Sequence, residues 1–212
     1  FTWTSEKDGW LHLYKVSRDG KQMQLITKGD FDVVNINCID PAGGYVYYIA
    51  SPDNFTQRYL YRSRLDGSGE AERVSPMNMA GQHSYQISAD AKYAIHSFEN
   101  ATTPRRISLI NLTTHTEIKL LEDNAALKNK ISELGLRPKE FLKVDIGEVV
   151  LDAWMIKPKD FDAQKKYPVI FHVYGEPAGS TVQDNWGTGD NLWHQYLANE
   201  LGCIVMSIDN RG

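Results

Sequence analysis

An all-β body of repeated small sheets, followed by the opening of an α/β sheet, is the fold class this sequence predicts. Three observations predict it. Short β-prone runs, each closed by a turn signal, recur from Phe1 to about Leu121. The texture changes at Leu121-Glu122-Asp123-Asn124, where polar capping residues precede Ala125-Ala126-Leu127. Beyond that point two apolar runs, Pro168–Tyr174 and Cys203–Ile208, flank one helical pattern. Strands apolar on both faces belong inside parallel sheets covered by helices.

Composition sets the outer bounds. The 212 residues are 42% hydrophobic and 24% charged, an ordinary globular mix. The 11 tyrosines and 5 tryptophans suit pleated, half-buried surfaces. A formal net charge of −4, with no basic tract, gives no case for nucleic-acid binding. No apolar run reaches the roughly 18 residues a membrane span needs. Cys38 and Cys203 each sit inside an apolar strand pattern and are expected to be buried thiols rather than a disulfide. The chain opens on Phe1, directly into a strand, and closes on Gly212 in a loop. Both ends are expected to be cuts in a longer protein, so an absent leader says nothing about export.

In order, Phe1–Ser5 alternates and turns at Lys7-Asp8-Gly9; Trp10–Val16 is a strand, and Arg18-Asp19-Gly20 turns it into Met23–Thr27. Val33–Ile39, Tyr45–Ala50, Arg58–Leu65 and Glu72–Ser75 follow, parted by Pro41–Gly44, Pro52–Asn54 and Asp66-Gly67. Ser84–Ser88, Tyr93–Phe98, Arg106–Leu112 and Glu117–Leu121 make a third pass, with a loop at Asn100–Pro104. Leu60-Tyr61 with Asp66-Gly67 lies over Leu13-Tyr14 with Asp19-Gly20, and Ile87 with Tyr93 over Ile39 with Tyr45. A period of roughly 47–48 residues with about four strands suits β-propeller blades. Two or three blades do not close a propeller, so either more blades belong to it or the array is open.

A helix is expected from Ala125 to about Leu134, capped by Asp123 or Asn124 and stopped by Gly135. The domain boundary is placed in the linker Arg137-Pro138-Lys139, giving propeller blades over 1–136 and a second domain over 137–212. Phe141–Ile146 and Glu148–Ile156 form a hairpin turned by Gly147. The strand Pro168–Tyr174 ends at Gly175-Glu176-Pro177, and Asn191–Leu201 is helical, with Leu192, Trp193, Tyr196, Leu197 and Leu201 on one face. Hairpin, strand, helix, strand is the opening of an α/β-hydrolase sheet. The whole reads as β-propeller blades followed by the N-terminal part of an α/β-hydrolase domain, truncated before the nucleophile elbow. In open α/β sheets, ligands bind outside the carboxyl ends of strands, so Tyr174, as the last strand residue, is expected at that rim.

Five stretches carry a resemblance. Trp3–Tyr14 (W-T-S-E-K-D-G-W-L-H-L-Y), Ile26–Val33, Leu121–Leu127, Lys165–Pro177 (K-K-Y-P-V-I-F-H-V-Y-G-E-P) and Ile208–Gly212 (I-D-N-R-G) resemble the dipeptidyl peptidase IV branch of the prolyl oligopeptidase family. The likeness runs over nearly the whole chain and implies the last propeller blades and the first third of a catalytic domain. It implies a serine peptidase that releases dipeptides from peptides with a free N-terminus, after Pro or Ala. It also implies no cofactor, allows a homodimer of the full-length enzyme, and suggests a periplasmic, extracellular or cell-surface location.

Of the catalytic residues, the resemblance carries over one. The tyrosine of the family's V-Y-x-x-P motif donates its hydroxyl to the oxyanion, and here that is Tyr174. The serine, Asp and His of the triad are expected outside this chain. No G-x-S-x-G occurs. Ser68 has the wrong spacing, Ser180 stands in a loop, and Ser207 lies within a strand. Glu176 departs from the family's usual Gly, and is expected to face solvent or pair with a cation such as Arg211. His172 is expected to be a buried, hydrogen-bonded histidine. His12, His83, His96, His115 and His194 show no metal spacing. Arg211 is expected to order its loop, and Asp209 is not the triad Asp. Asn54-Phe55-Thr56, Asn100-Ala101-Thr102 and Asn111-Leu112-Thr113 match the glycosylation pattern. The competing readings are a non-catalytic propeller binding module, a pseudo-peptidase, and a prolyl tripeptidyl or acylaminoacyl peptidase relative.

Overall fold

A computed structural model of the chain describes residues 1–175, 179–187 and 189–211. Its contacts divide the chain into two units. The first comprises Phe1–Phe98 and Arg105–Asp123, the second Glu99–Pro104 and Asn124–Gly212.

The first unit is built from three sheets. Strands β1 (Thr2–Ser5), β2 (His12–Val16) and β3 (Met23–Leu25) form an antiparallel sheet in chain order. β4 (Asn35–Asp40), β5 (Tyr45–Ala50), β6 (Tyr59–Arg64) and β7 (Glu72–Arg73) form a four-stranded meander. A second meander follows in β8 (Gln82–Ile87), β9 (Tyr93–Asn100), β10 (Thr103–Asn111) and β11 (Thr116–Glu122). The expected repeat is therefore present as two matching four-stranded sheets.

Alternation along β5 shows why its sequence, Y-V-Y-Y-I-A, is almost wholly apolar. Side chains point to opposite faces with period two. Val46, Tyr48 and Ala50 join Leu13, Phe31 and Tyr61 in a core on one side; Tyr47 and Ile49 join Leu60, Tyr85 and Ile110 on the other. Polar bonds tie the second and third sheets: Asn37 Nδ2 donates to Tyr85 O (2.9 Å) and Gln82 Nε2 to Thr56 O (2.7 Å). The expected loop at Asn100–Pro104 is a tight turn instead. Only Ala101 and Thr102 part β9 from β10, and Asn100 Oδ1 accepts from the amide and the hydroxyl of Thr102 (both 3.0 Å). The Asn side chain closes the turn that a longer loop would otherwise make.

The second unit contains α1 (Ala125–Glu133), β12 (Glu140–Asp145), β13 (Val150–Ile156), β14 (Val169–Phe171), α2 (Gly189–Glu200) and β15 (Ile204–Ile208). Asn124 takes the N-cap position of α1 in a left-handed conformation without a side-chain capping bond. Gly135, at φ +62°, ends the helix as its sequence predicts. The strands form one mixed sheet in the order β12-β13-β15-β14. β12, β13 and β15 pair antiparallel, and β14 runs parallel to β15. Trp154, Ile156, Val205, Cys203, Val182 and Ala198 form its core. Both cysteines are free thiols; Cys203 is buried, whereas Cys38 is only half-buried.

Three expectations are corrected here. β14 is shorter than the run Pro168–Tyr174 and ends at Phe171, so Tyr174 lies three residues past the strand. β14 is also an edge strand, and Val169, Phe171 and Val173 are exposed rather than covered on both faces. Of the five apolar residues expected on one face of α2, Leu197 packs against the core, but Leu192, Trp193, Tyr196 and Leu201 are exposed, and His194, Gln195 and Ala198 are buried in their place. Periodicity says which residues share a helix face, not which face meets the sheet. Small Ala198, flanked by two flat polar side chains, lets the helix approach Trp154 and Val205.

A histidine stack sits in the second meander. His83 Nε2 faces Met79 O (2.8 Å), and a carbonyl only accepts, so Nε2 carries the proton. His83 Nδ1 then accepts from His96 Nε2 (2.9 Å). The His96 ring lies over Tyr85 at 4.5 Å and meets His115 edge-on at 4.9 Å. Tyr85 Oη contacts His115 Nε2 and Ser75 Oγ, both at 2.8 Å. Burial lowers His83 to about 4 and His96 to about 3, from an ordinary 6.5, and lowers His115 as well. Because the folded values are depressed, the stability these groups contribute is complete above the unfolded value. It is lost as pH falls from about 6.5 toward the folded values. Unfolding free energies from denaturant titrations between pH 7.5 and 5, above most carboxylate titration, should fall by up to about 1.4 kcal/mol per pH unit per histidine. Replacing His96 by Gln should flatten that slope, and a midpoint independent of pH in the parent chain would contradict it.

Candidate functional site

The candidate site stands at the carboxyl end of β15, where one carboxylate organises the backbone that follows β14. Asp209 Oδ1 accepts from Thr181 N (2.7 Å), Val182 N (3.1 Å) and Thr181 Oγ1 (3.1 Å). Its Oδ2 accepts from Ser180 Oγ (2.8 Å). The residue is itself anchored, since Asp209 N donates to Asp152 O on β13 (2.9 Å). Two residues earlier, the buried Ser207 Oγ donates to His172 O (2.7 Å) and lies 2.7 Å from Thr181 Oγ1. The end of β15 thus binds His172 on one side of Tyr174 and Ser180–Val182 on the other. A carboxylate can accept several bonds at once, so it suits backbone amides that no strand satisfies.

Tyr174 lies between these anchors. Its ring rests on Gly179, where an added Cβ would overlap Cδ1 and Cε1. Glycine is required for the ring to lie this close. The side chain is 46% exposed, so it is supported from one side and open on the other.

Beside this loop is a polar cavity of about 270 Å³, whose lining includes Lys139, Trp154, His172, Thr181, Asp190 and His194. His194 is buried, with its ring 5.2 Å from Trp154 and 4.9 Å from His172. Burial, and then His172, push its pKa down, so it is held neutral. Lys139 Nζ donates to Asn185 Oδ1 (3.2 Å). Burial lowers Lys139 too, opposed by the negative charges of Asp184, Glu99 and Asp190. Trp154 closes the floor, with Nε1 donating to Thr181 O (3.1 Å). This arrangement can hold a polar ligand and orient the loop; it offers no hydroxyl–imidazole pair for nucleophilic attack among the contacts above.

Residues 1–105 match the family described as "Dipeptidyl peptidase IV (DPP IV) N-terminal region". Over 209 residues the chain is 31% identical to the "Probable dipeptidyl-aminopeptidase B" of Emericella nidulans, covering 97% of this chain and 22% of that protein. It is 30% identical over 210 residues to the dipeptidyl-aminopeptidase B of Aspergillus niger, covering 97% of this chain and 23% of that one. The crystal structure of Porphyromonas gingivalis dipeptidyl peptidase 4 superposes on all of this chain, with a TM-score of 0.88 at 31% identity, and 29% of that chain is covered. The chain belongs to the dipeptidyl peptidase IV family. It spans about a fifth of the length of the curated relatives it matches, and its blade-like all-β sheets are the propeller region of that family.

Within this family framework, the residues singled out from the sequence fall as follows. Ser68 caps a turn, its hydroxyl donating to Asp66 Oδ1 (2.6 Å). Ser180 and Ser207 serve Asp209 and the His172 carbonyl, as described above. His172 is exposed rather than buried, because β14 is an edge strand. Arg211 pairs with Glu148 (3.1 Å); its expected partner Glu176 lies outside the described residues. Among the described residues, no group of three or more His, Cys, Asp or Glu is placed to hold a metal ion, and no helix is long and apolar enough to cross a membrane. Sequence reasoning missed Lys139, His194 and the part played by Asp209. The readable signal was an Asp closing a strand, together with a Gly-Ser-Thr run of amides and hydroxyls to receive it.

The two serines should differ in what they contribute. Ser207→Ala removes a buried donor from a carbonyl and should destabilise the second unit by about 1–3 kcal/mol. Ser180→Ala, at an exposed hydroxyl, should cost less than about 0.5 kcal/mol. Urea unfolding followed by tryptophan fluorescence measures both; equal losses would contradict the assignment of Ser207 as the inner anchor.

Proposed function

We propose that this chain is part of a serine exopeptidase that releases dipeptides from free N-termini, after Pro or Ala. In this reading residues 137–212 open an α/β-hydrolase domain, residues 1–136 are the last blades of a propeller, and the triad lies beyond this chain. The observation that carries the reading is the position of Tyr174. It stands past the carboxyl end of a strand that runs parallel to its neighbour, braced from behind and open in front, in a chain whose relatives are named dipeptidyl-aminopeptidases.

The chemistry follows from that position. Attack on a peptide carbonyl moves charge onto its oxygen, and a donor already aimed at that point stabilises the transition state without reorganising. The Tyr174 hydroxyl supplies such a donor. A second comes from the backbone N–H after the serine of a G-x-S-x-G elbow. Peptides with a free N-terminus are the substrates, no cofactor takes part, and the full-length enzyme works in the periplasm, outside the cell or at the cell surface, with a homodimer as a compatible assembly.

Two measurements test this. In the full-length enzyme, Tyr174→Phe should lower kcat by about 10²–10³ with little change in KM, because the hydroxyl acts on the transition state; an unchanged kcat removes Tyr174 from the mechanism. The purified 212-residue chain should not cleave Ala-Pro p-nitroanilide. Turnover that a serine-directed inhibitor abolishes would show that the nucleophile lies inside it.

A further inference from the structure

The bonds at the end of β15 reach further than loop stability. We propose that Asp209 is the positioning residue for Tyr174, acting through Gly179–Val182. The inference rests on the oxyanion reading of Tyr174 and assigns a second residue to the same site.

Tyr174 lies three residues past the end of β14. Its ring rests on Gly179, close enough that a Cβ there would overlap it. Gly179 adjoins Ser180, and from Ser180 to Val182 every hydrogen bond to Asp209 comes from consecutive residues: one serine hydroxyl, two backbone amides and one threonine hydroxyl. These four bonds fix the path of the segment that backs the ring. Asp209 is in turn fixed by its own amide on Asp152 O. The rigid sheet is thus coupled to the phenol in three steps: strand β15, the Asp209 carboxylate, and Gly179 against the ring. The carboxylate takes no part in proton transfer in this scheme. It is an acceptor, and the part that matters is Oδ1, which holds both amides.

That distinction makes the proposal testable by choice of variant. Asp209→Asn keeps an acceptor at Oδ1, and its new amide can donate to Ser180 Oγ, which turns to accept. Asp209→Ala removes all four bonds. In the full-length enzyme acting on Ala-Pro p-nitroanilide, Asp209→Ala should lower kcat about 10–100-fold with KM within about twofold, the scale expected when a catalytic group is misplaced by about 1 Å. Asp209→Asn should restore most of it. In a Tyr174→Phe background, Asp209→Ala should cause no further loss, since a residue acting through another shows strong non-additivity in a double-mutant cycle.

Equal losses in both backgrounds would overturn the proposal, because Asp209 would then act apart from Tyr174. So would an Asp209→Asn variant as slow as Asp209→Ala, which would mean that the negative charge itself is used. If Tyr174→Phe alone leaves kcat unchanged, the oxyanion reading fails first, and the positioning role falls with it. Should Asp209→Ala not fold, Gly179→Ala displaces the ring while leaving the carboxylate bonds in place. It should reproduce the kcat loss, and wild-type kcat in that variant would equally overturn the proposal.

Discussion

Side chains that alternate across a strand can bury both faces only if packing material lies on each side, and the first unit is built around that constraint. β5 meets it most completely, sending Tyr48 to one core and Tyr47 to the next. A strand so placed is apolar at nearly every position, and its neighbours must be sheets of matching curvature. The two four-stranded meanders are the repeated answer. Their tyrosines add a second requirement, because a buried hydroxyl needs a partner. Tyr48 finds Ser63 at 2.9 Å, and Tyr85 finds Ser75 and His115, so the buried hydroxyls are satisfied by polar bonds inside the packed cores.

The second unit depends on a different solution to the same shortage of partners. Beyond β14 the amides of Thr181 and Val182 are satisfied by a carboxylate rather than by another strand. That substitution gives the loop a defined shape without regular structure, which is how an irregular segment can carry a functional side chain on a rigid scaffold. The neighbouring polar cavity is consistent in its electrostatics: His194 is held neutral by burial, and the Lys139 ammonium is offset by three carboxylates.

Much of this was legible from residues alone. Turn pairs such as Asp66-Gly67 and the doubled spacing of Ile39 with Tyr45 and Ile87 with Tyr93 give the strands and their repeat, because turns and period-two patterns are local. The V-Y-G-E-P stretch points to Tyr174 through family likeness. The helix face and the depth of β14 were not legible. Leu192, Trp193 and Tyr196 make a convincing apolar stripe, yet they are exposed, and Phe171 is exposed at a sheet edge. Both errors have one cause: an apolar residue states a preference for burial without naming the surface that will bury it.

The sequence by itself determined the order and kind of the elements, the repeat, the family likeness and the one tyrosine with a catalytic role to propose. Only the tertiary structure decided that Asp209, 35 residues from Tyr174 in number, governs the loop beside it. It likewise brought His83, His96 and His115 from three separate positions of one meander into a single neutral stack. The physical reason is range. Propensity, turn chemistry and periodicity act over a few residues, whereas a hydrogen bond between a strand end and a distant loop exists only after the sheet has set its register.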